Sequence, residues 1–337
     1  MKLLAKAQPV TIFLCISLVY VAGFFAHVLY LKKTVYGDGI YYYGWLTLQS
    51  SKFSVGPALF WAPAYLLTHN QIVVGFTSVL ATIFSLLLLW NLLLKYFSKT
   101  VSIMTVAAIA GASNLLFYGS IDVVNSHALT FFAATLFLIL LLKRRHWFAV
   151  GLSLGILGLM RTQDLLFALL LIPYVTKKNI YYILSGVLIG FFPQLIAWRL
   201  ATGKWFVSPY LTGTEGFNFL RPHIPGVLFG LQNGLFLWTP ITILGLAGLF
   251  TKKRFLMLSV FLLELYVVAS WTTWWQGASY SGRMFVSSLP VLSFGIAEVF
   301  SWLVRYKWTR VYFLLTIVIP LSVINMMLIT FFLWNLH

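Results

Sequence analysis

Charged residues, and acids above all, are scarce in this sequence. Only 9% of the 337 residues are charged, whereas 61% are hydrophobic and 18% aromatic. An ordinary soluble domain has roughly a quarter of its residues charged. The mean hydropathy of +0.93 points the same way. This composition excludes a soluble globular domain and predicts an integral membrane protein.

The acids number six against 23 lysines and arginines, which gives a net charge of +17. In a soluble chain this balance would indicate nucleic-acid binding. The cations lie instead in short clusters between apolar runs, so we expect no nucleic-acid partner. The acids are conspicuous because there are so few of them: Asp38, Asp122, Asp164, Glu215, Glu264 and Glu298.

Cysteine is limited to Cys15, which excludes an intramolecular disulfide and a cysteine-based metal site. The sequence also lacks internal repeats of fixed period, low-complexity tracts and long linkers. We therefore expect residues 1–337 to form a single integral-membrane domain.

Apolar runs of about 20 residues match the thickness of the hydrocarbon core of a bilayer. The sequence has eleven such runs, two of them short, and predicts an all-α, polytopic transmembrane bundle of about 11 spans. The runs are 9–31, 71–94, 100–118, 121–142, 146–160, 164–176, 179–199, 226–250, 255–273, 284–304 and 310–334.

The two short runs, 146–160 and 164–176, could instead merge into one span and shift everything downstream. The positive-inside rule favours separate spans with a cytoplasmic N-terminus and an outside C-terminus, because most cations then lie inside. The inner cations are Lys2, Lys6, Lys95, Lys99, Lys143, Arg144, Arg145, Lys177, Lys178, Lys252, Lys253, Arg254, Arg305, Lys307 and Arg310.

This topology concentrates polar chemistry on the non-cytoplasmic side. Four of the acids are placed there: Asp38, Asp122, Asp164 and Glu215. We expect three outer segments to form the active face: 32–70, 200–225 and 274–283.

The first outer segment contains Gly37, Asp38 and Gly39, followed by several aromatic residues. A turn and an interfacial aromatic belt explain this stretch without any catalytic function. Asp38 is nevertheless the first acid in the chain, and a carboxylate at the membrane face can act as general base toward a hydroxyl.

Asp122 opens the predicted span 121–142, where stabilisation of the helix N-terminus explains it about as well as catalysis does. On a regular helix Asn125 and Ser126 would share its face, whereas His127 would point elsewhere. The spacing specifies no set of metal ligands.

Arg161 and Asp164 lie between the two short spans, where they could simply neutralise one another. A polar break between short helices is also how membrane proteins line a cavity. Glu264, near mid-span, needs a proton or a partner, and the sequence does not identify one.

The stretch from Trp271 to Arg283 is dense in aromatic and small residues, including Trp275 and Tyr280. An aromatic belt explains the rings. It does not explain the glycines or Arg283, whose planar guanidinium suits a phosphate group.

Taken in order, these segments resemble the GT-C superfamily of integral-membrane glycosyltransferases, which contains protein O-mannosyltransferases and bacterial lipid A aminoarabinose transferases. They are similar in order and spacing to uncharacterised bacterial members. The segments that carry the resemblance are Gly37–Tyr43, Gly56–Pro63, Ser126–Leu129, Gly158–Asp164, Asn233–Pro240 and Trp275–Pro290.

The resemblance implies inverting transfer of a sugar from a polyprenyl-phosphate donor to an acceptor at the outer face of the plasma membrane, the inner membrane in a bacterium. It implies Asp38 as general base, Asp122 as a secondary or acceptor-binding acid, and Arg161 with Arg283 at the phosphate. A divalent metal or Lys32 and Lys33 could replace these arginines. Further substrate-binding residues would be His127, Asp164, Glu215, Trp275 and Tyr280.

The implied partners are the lipid-linked donor and membrane lipids, and no oligomeric state follows. Protein O-mannosyltransferases pair acids in the first loop, whereas Asp38 is followed by Gly39. This difference favours a lipid, glycan or envelope-polymer acceptor over a protein. The alternatives are a transporter or flippase, for which internal repeats and paired midplane charges would be typical, and a non-catalytic membrane scaffold.

Overall fold

The computed structural model describes residues 9–143, 146–211 and 215–335. Within these ranges the chain is helical, and its one strand-like pairing is an isolated bridge between Phe217 and Trp271. The all-α prediction is confirmed for this part of the chain. Several predicted features lie outside the described residues, namely Lys2, Lys6, Arg144, Arg145 and positions 212–214 of the predicted outer segment 200–225.

Helices follow one another with short connections along the described chain. The α-helices are α1 (Pro9–Leu31), α2 (Gly39–Gly44), α3 (Gly56–Thr68), α4 (Gln71–Leu93), α5 (Lys99–Ala112), α6 (Leu115–Ser120), α7 (His127–Lys143), α8 (Trp147–Met160), α9 (Ile180–Thr202), α10 (Ile224–Phe229), α11 (Leu235–Trp238), α12 (Ile241–Leu249), α13 (Phe255–Ser270), α14 (Leu289–Val304) and α15 (Arg310–Asn335). The 3₁₀ segments are Trp45–Thr47, Thr162–Leu171, Pro209–Leu211, Lys252–Arg254 and Arg283–Val286, and α15 contains a π-helical turn at Leu314–Val318.

Among the described residues, four helices are long and apolar enough to cross a membrane: α1, α4, α9 and α15. Large apolar side chains are exposed on their surfaces, such as Leu29 on α1, Phe192 on α9 and Trp334 on α15. Lipid is the surrounding in which such apolar surfaces are stable. Helix length, surface and composition together indicate a membrane protein.

Helices α8 and α9 pack with their backbones in contact. Gly151 and Gly155 on α8 face Gly186 and Gly190 on α9, and a Cβ added to Gly151 would lie 2.1 Å from a backbone oxygen of α9. Small residues spaced four apart allow membrane helices to approach this closely. The contact fixes the end of α8, which is directly followed by Arg161.

The predicted span 121–142 begins later than expected. Helix α7 starts at His127, and positions 121–126 before it are not helical. The Asn125 side chain accepts a hydrogen bond from the His127 backbone N–H at 2.8 Å and donates to the backbone oxygen of Asp122. These local bonds compete with helix formation. The expectation that Asp122 opens a helix and shares a face with Asn125 and Ser126 is therefore wrong.

Three further predicted spans are interrupted. The run 100–118 is divided between α5 and α6. The run 164–176 contains a 3₁₀ segment, Thr162–Leu171, and the run 226–250 is divided into α10, α11 and α12. Gly230 follows α10, Gly234 precedes α11, and Pro240 precedes α12. Glycine disfavours a continuous helix and proline lacks the N–H that would continue one.

Candidate active site

A cavity of about 760 Å³ opens between the connections at one end of the bundle. Its wall is formed by the segment after α1, the start of α7, the segment after α8, the connection between α9 and α10, and the segment between α13 and α14. Six residues predicted from the sequence line it: Asp38, His127, Arg161, Glu215, Trp275 and Arg283.

Asp38 and Arg283 form an ion pair in the cavity wall. The Arg283 Nη1 donates to Asp38 Oδ2 at 2.5 Å, and their side chains keep 17% and 34% of their exposure. Asp38 follows Gly37, which has a left-handed φ of +53°, and precedes Gly39, where a Cβ would lie 2.4 Å from the Val124 backbone oxygen. Both glycines are therefore needed for the turn that presents Asp38 to the cavity.

A second ion pair joins two connections across the cavity. Lys52 Nζ donates to Glu215 Oε1, and the same ammonium lies 5.2 Å from the centroid of the Tyr210 ring. Lys52 comes from the segment between α2 and α3, whereas Glu215 comes from the segment between α9 and α10. The pair is partly exposed, with 44% of the Lys52 side chain accessible.

Arg161 is the third cation in the wall, and it is buried. Its Nη1 lies 3.4 Å from His127 Nδ1, and its Nη2 donates to Gln163 Oε1 at 3.3 Å. Neither of these side-chain partners among the described residues is a carboxylate. Arg161 thus differs from Arg283 and Lys52, each of which is paired with an acid.

Apolar side chains make up much of the rest of the wall, beside polar ones such as Gln194, Ser208 and Thr273. The apolar side chains include Leu165, Leu166, Trp198, Val267 and Trp271. A cavity lined by cations, carboxylates and aliphatic and aromatic groups fits an amphiphile with an anionic head. The arrangement can hold an anion at the arginines and can accept a proton at Asp38.

Three predicted site residues are absent from the described wall of the cavity: Asp122, Asp164 and Tyr280. Tyr280 is buried, and its hydroxyl donates to Asn325 Oδ1 at 2.6 Å. Asn325 in turn donates to the backbone oxygens of Gly111 and Ser113 at 2.9 Å. This network ties α15 to α5 and to the segment that carries Arg283.

Asp122 lies in the non-helical connection before α7, behind the ion pair. Burial raises the pKa of Asp122 to about 7, whereas the Asn125 side chain and the positive charge of Arg283 favour its charged form. The negative charge of Asp38 raises this pKa further. Asp122 is therefore close enough to the Asp38–Arg283 pair to interact with both charges.

Asp164 and Glu264 form a separate buried cluster. The Ser287 hydroxyl lies 2.9 Å from Asp164 Oδ1 and 3.2 Å from Glu264 Oε1, and Ser288 donates to Glu264 Oε2. Gln163 Nε2 also donates to Glu264 Oε1, at 3.2 Å. These contacts identify the partners of Glu264 that the sequence left open.

Sequence reasoning did not assign roles to Gln163, Ser287 or Asn325. Asn325 had a usable signal, because it is a buried amide within an otherwise apolar span. Ser287 had none, since serine is common in membrane helices and only folding brings it between the two acids. No group of three or more His, Cys, Asp and Glu side chains suited to a metal ion occurs among the described residues.

Comparison with protein-family models, with curated proteins and with solved structures finds no match to this chain.

Proposed function

We propose that this protein is a membrane glycosyltransferase of the GT-C type, which moves a sugar from a polyprenyl-phosphate donor to a lipid, glycan or envelope-polymer acceptor. The observation that carries the proposal is the cavity whose wall combines the Asp38–Arg283 pair with aliphatic and aromatic side chains. A lipid-linked donor has the matching chemistry, since it joins an anionic phosphate to a long hydrocarbon chain.

In the proposed reaction Asp38 accepts the proton of the acceptor hydroxyl. The acceptor oxygen attacks the anomeric carbon as the bond from that carbon to the phosphate oxygen breaks, and the electron pair leaves with the polyprenyl phosphate. Arg161 and Arg283 stabilise the negative charge on the leaving phosphate. Asp122, behind the pair, acts as a secondary acid by tuning the charges of Asp38 and Arg283.

The Asp38–Arg283 contact prepares both partners for this chemistry. The Asp38 carboxylate, hydrogen-bonded to Arg283, is the group that accepts the proton. The guanidinium has further N–H donors for a phosphate while one of them is engaged with Asp38. His127, Glu215 and Trp275 complete the wall around the bound substrates.

The proposal includes a topology of about 11 spans in the plasma membrane, with the N-terminus inside and both the C-terminus and the cavity outside. The charge distribution supports this orientation, because most cations then lie on the cytoplasmic side. Cysteine substitutions in the connections, labelled from either side with a membrane-impermeant maleimide, test it directly.

The function is tested by mass spectrometry of envelope lipids and glycans from cells with and without the gene. The proposal expects one acceptor in the deletion strain to lack a sugar, and the wild-type gene to restore it. A missing modification identifies donor and acceptor together. Uptake of a labelled lipid-linked sugar into vesicles without product formation would instead establish a transporter or flippase.

A further inference from the structure

The buried carboxylate of Glu264 is connected to the cavity although it is not part of the described cavity wall. Its Oε1 accepts a hydrogen bond from Gln163 Nε2 at 3.2 Å, and Ser287 and Ser288 are its other described hydrogen-bond partners. Glu264 is 2% exposed, so no ligand in the cavity can touch it without a rearrangement. Gln163, by contrast, lines the cavity.

The Gln163 amide has one donor end and one acceptor end, so its neighbours decide how it is oriented. Besides Glu264, the backbone oxygen of Met284 accepts from Nε2, at 3.5 Å. A carboxylate only accepts, and therefore Glu264 attracts the Nε2 end of Gln163. This orientation directs Oε1 toward Arg161, whose Nη2 donates to it at 3.3 Å. If the amide were reversed, its N–H groups would face a guanidinium that has only donors.

The chain of contacts continues past Arg161. Arg161 cannot accept a hydrogen bond, so His127 Nδ1, at 3.4 Å from Nη1, is the acceptor of that contact. Arg161 is thus held by hydrogen bonds to two neutral groups, Gln163 and His127. Its charge also interacts, without a described hydrogen bond, with the acids Asp164 and Glu264.

We propose that Glu264 is a positioning residue that acts through Gln163 to hold Arg161 as the main anion-binding group of the cavity. Arg283 is partly engaged by Asp38, which leaves Arg161 as the cation best able to receive an anionic headgroup. The inference rests on the proposed function in one respect: it takes the anion to be the phosphate of a lipid-linked donor or product.

The test measures binding of farnesyl monophosphate and of farnesol to the purified full-length protein in nanodiscs. The two probes share a hydrocarbon chain and differ in the phosphate. Tryptophan fluorescence is a suitable signal, because Trp271 and Trp275 line the cavity. Isothermal titration calorimetry provides an independent measurement.

The substitution Glu264→Leu removes the acceptor that orients Gln163. We expect the affinity for farnesyl monophosphate to fall about tenfold, within the range of coupling between residues of one network, while farnesol binding is unchanged. Glu264→Gln should retain most of the affinity, since its amide oxygen still accepts from Gln163 and its amide N–H₂ can donate to Ser288.

A second variant covers the case in which Glu264→Leu does not fold. The exchange Gln163→Glu with Glu264→Gln keeps one acid and one amide in contact, with the acid now beside Arg161. We expect this double variant to fold and to bind farnesyl monophosphate more weakly than wild type, because Glu at position 163 neutralises Arg161. Glu298→Gln, at the Arg254 pair away from the cavity, is the control.

The outcomes separate the inference from the proposed function. If wild-type protein binds farnesyl monophosphate no better than farnesol, the donor assignment fails and the inference fails with it. Suppose that wild type binds farnesyl monophosphate more tightly than farnesol. If Glu264→Leu keeps this full preference, or loses affinity for farnesol as much as for farnesyl monophosphate, only the positioning role is overturned. The positioning role is also overturned if Glu264→Gln binds farnesyl monophosphate as weakly as Glu264→Leu does. It is likewise overturned if the double variant Gln163→Glu with Glu264→Gln binds farnesyl monophosphate as tightly as wild type.

Discussion

Two pairs of side chains contain three of the six acids of this protein. They lie close together and differ in their surroundings. Asp38 and Arg283 form an ion pair in a cavity wall and keep part of their exposure. Asp164 and Glu264 are almost fully buried and are bonded mainly to hydroxyl and amide groups. The first pair is reachable by substrate, whereas the second can act only through other residues.

The difference shows what burial does to a carboxylate in a membrane protein. A partly exposed acid with a cationic partner remains available for proton transfer. A buried acid depends on the few polar contacts that it has, and losing one of them costs folding stability. We therefore expect substitutions in the first region to affect activity, and substitutions in the second to affect stability and, through Gln163, anion binding.

The largest expected effect is the loss of activity on Asp38→Asn, because the amide cannot accept the proton of the acceptor hydroxyl. General-base catalysis contributes about 10²–10⁴-fold, so transfer by the purified variant should fall by that factor. Glu298→Gln, which alters the distant pair with Arg254, should retain activity. Full transfer activity in the Asp38→Asn variant would remove Asp38 from the mechanism.

In the buried region we expect Asp164→Ala to lower the free energy of unfolding by about 1–3 kcal/mol, since Ser287 loses an acceptor. Asp164→Asn should lose less, because its amide oxygen still accepts from Ser287. Thermal unfolding in detergent measures both. Equal midpoints for wild type and Asp164→Ala would contradict the distinction between the two regions.

Asp122 interacts with the charges of the first pair and is half-buried, so its titration sharpens the comparison. Its folded-state pKa of about 7 exceeds the ordinary value of 3.8, which means that the folded protein holds the proton more tightly. Stability should therefore fall as pH rises between these two values, on the order of 1–2 kcal/mol. The Asp122→Asn variant should lack this component of the pH dependence.

The measurement compares the thermal midpoints of wild type and Asp122→Asn across that pH range. The difference between the two proteins should change steadily from acid to neutral pH and then level off. Parallel curves throughout the range would show that Asp122 titrates normally in the folded protein.

The smallest effect is expected for the exposed pair of Lys52 and Glu215. Partly exposed ion pairs contribute about 0–1 kcal/mol and are screened by salt. Lys52→Ala should therefore shift the thermal midpoint slightly at low ionic strength and hardly at all at high ionic strength. A large loss of thermal stability that does not depend on salt would show that Lys52 and Glu215 stabilise the fold as strongly as the buried cluster of Asp164 and Glu264 does.

Several features of the fold could be predicted from the sequence because they depend on local composition. Apolar runs of sufficient length predict α1, α4, α9 and α15, since a bilayer requires that length and that apolarity. The start of α7 was placed wrongly, because the bonds of the Asn125 side chain outweigh the helical tendency of 121–126. Composition does not reveal such competition.

The sequence could predict which residues belong to the candidate site, but not which of them contact one another. The sequence singled out Asp38, Arg161 and Arg283 for their charge in an apolar chain, and all three line one cavity. Nothing in the sequence relates position 38 to position 283 or position 163 to position 264. These pairs depend on helix packing, including the glycine contact of α8 with α9.

The sequence by itself determined that this is a helical membrane protein with six acids, because hydropathy and length require only local information. Tertiary structure alone decided which acids face a cavity and which are enclosed by hydroxyl and amide groups. The physical reason is that the environment of a carboxylate is set by residues brought near it in space. Asp38 and Glu264 are both acids in an apolar chain, and only their neighbours make one accessible to a ligand and the other a buried support.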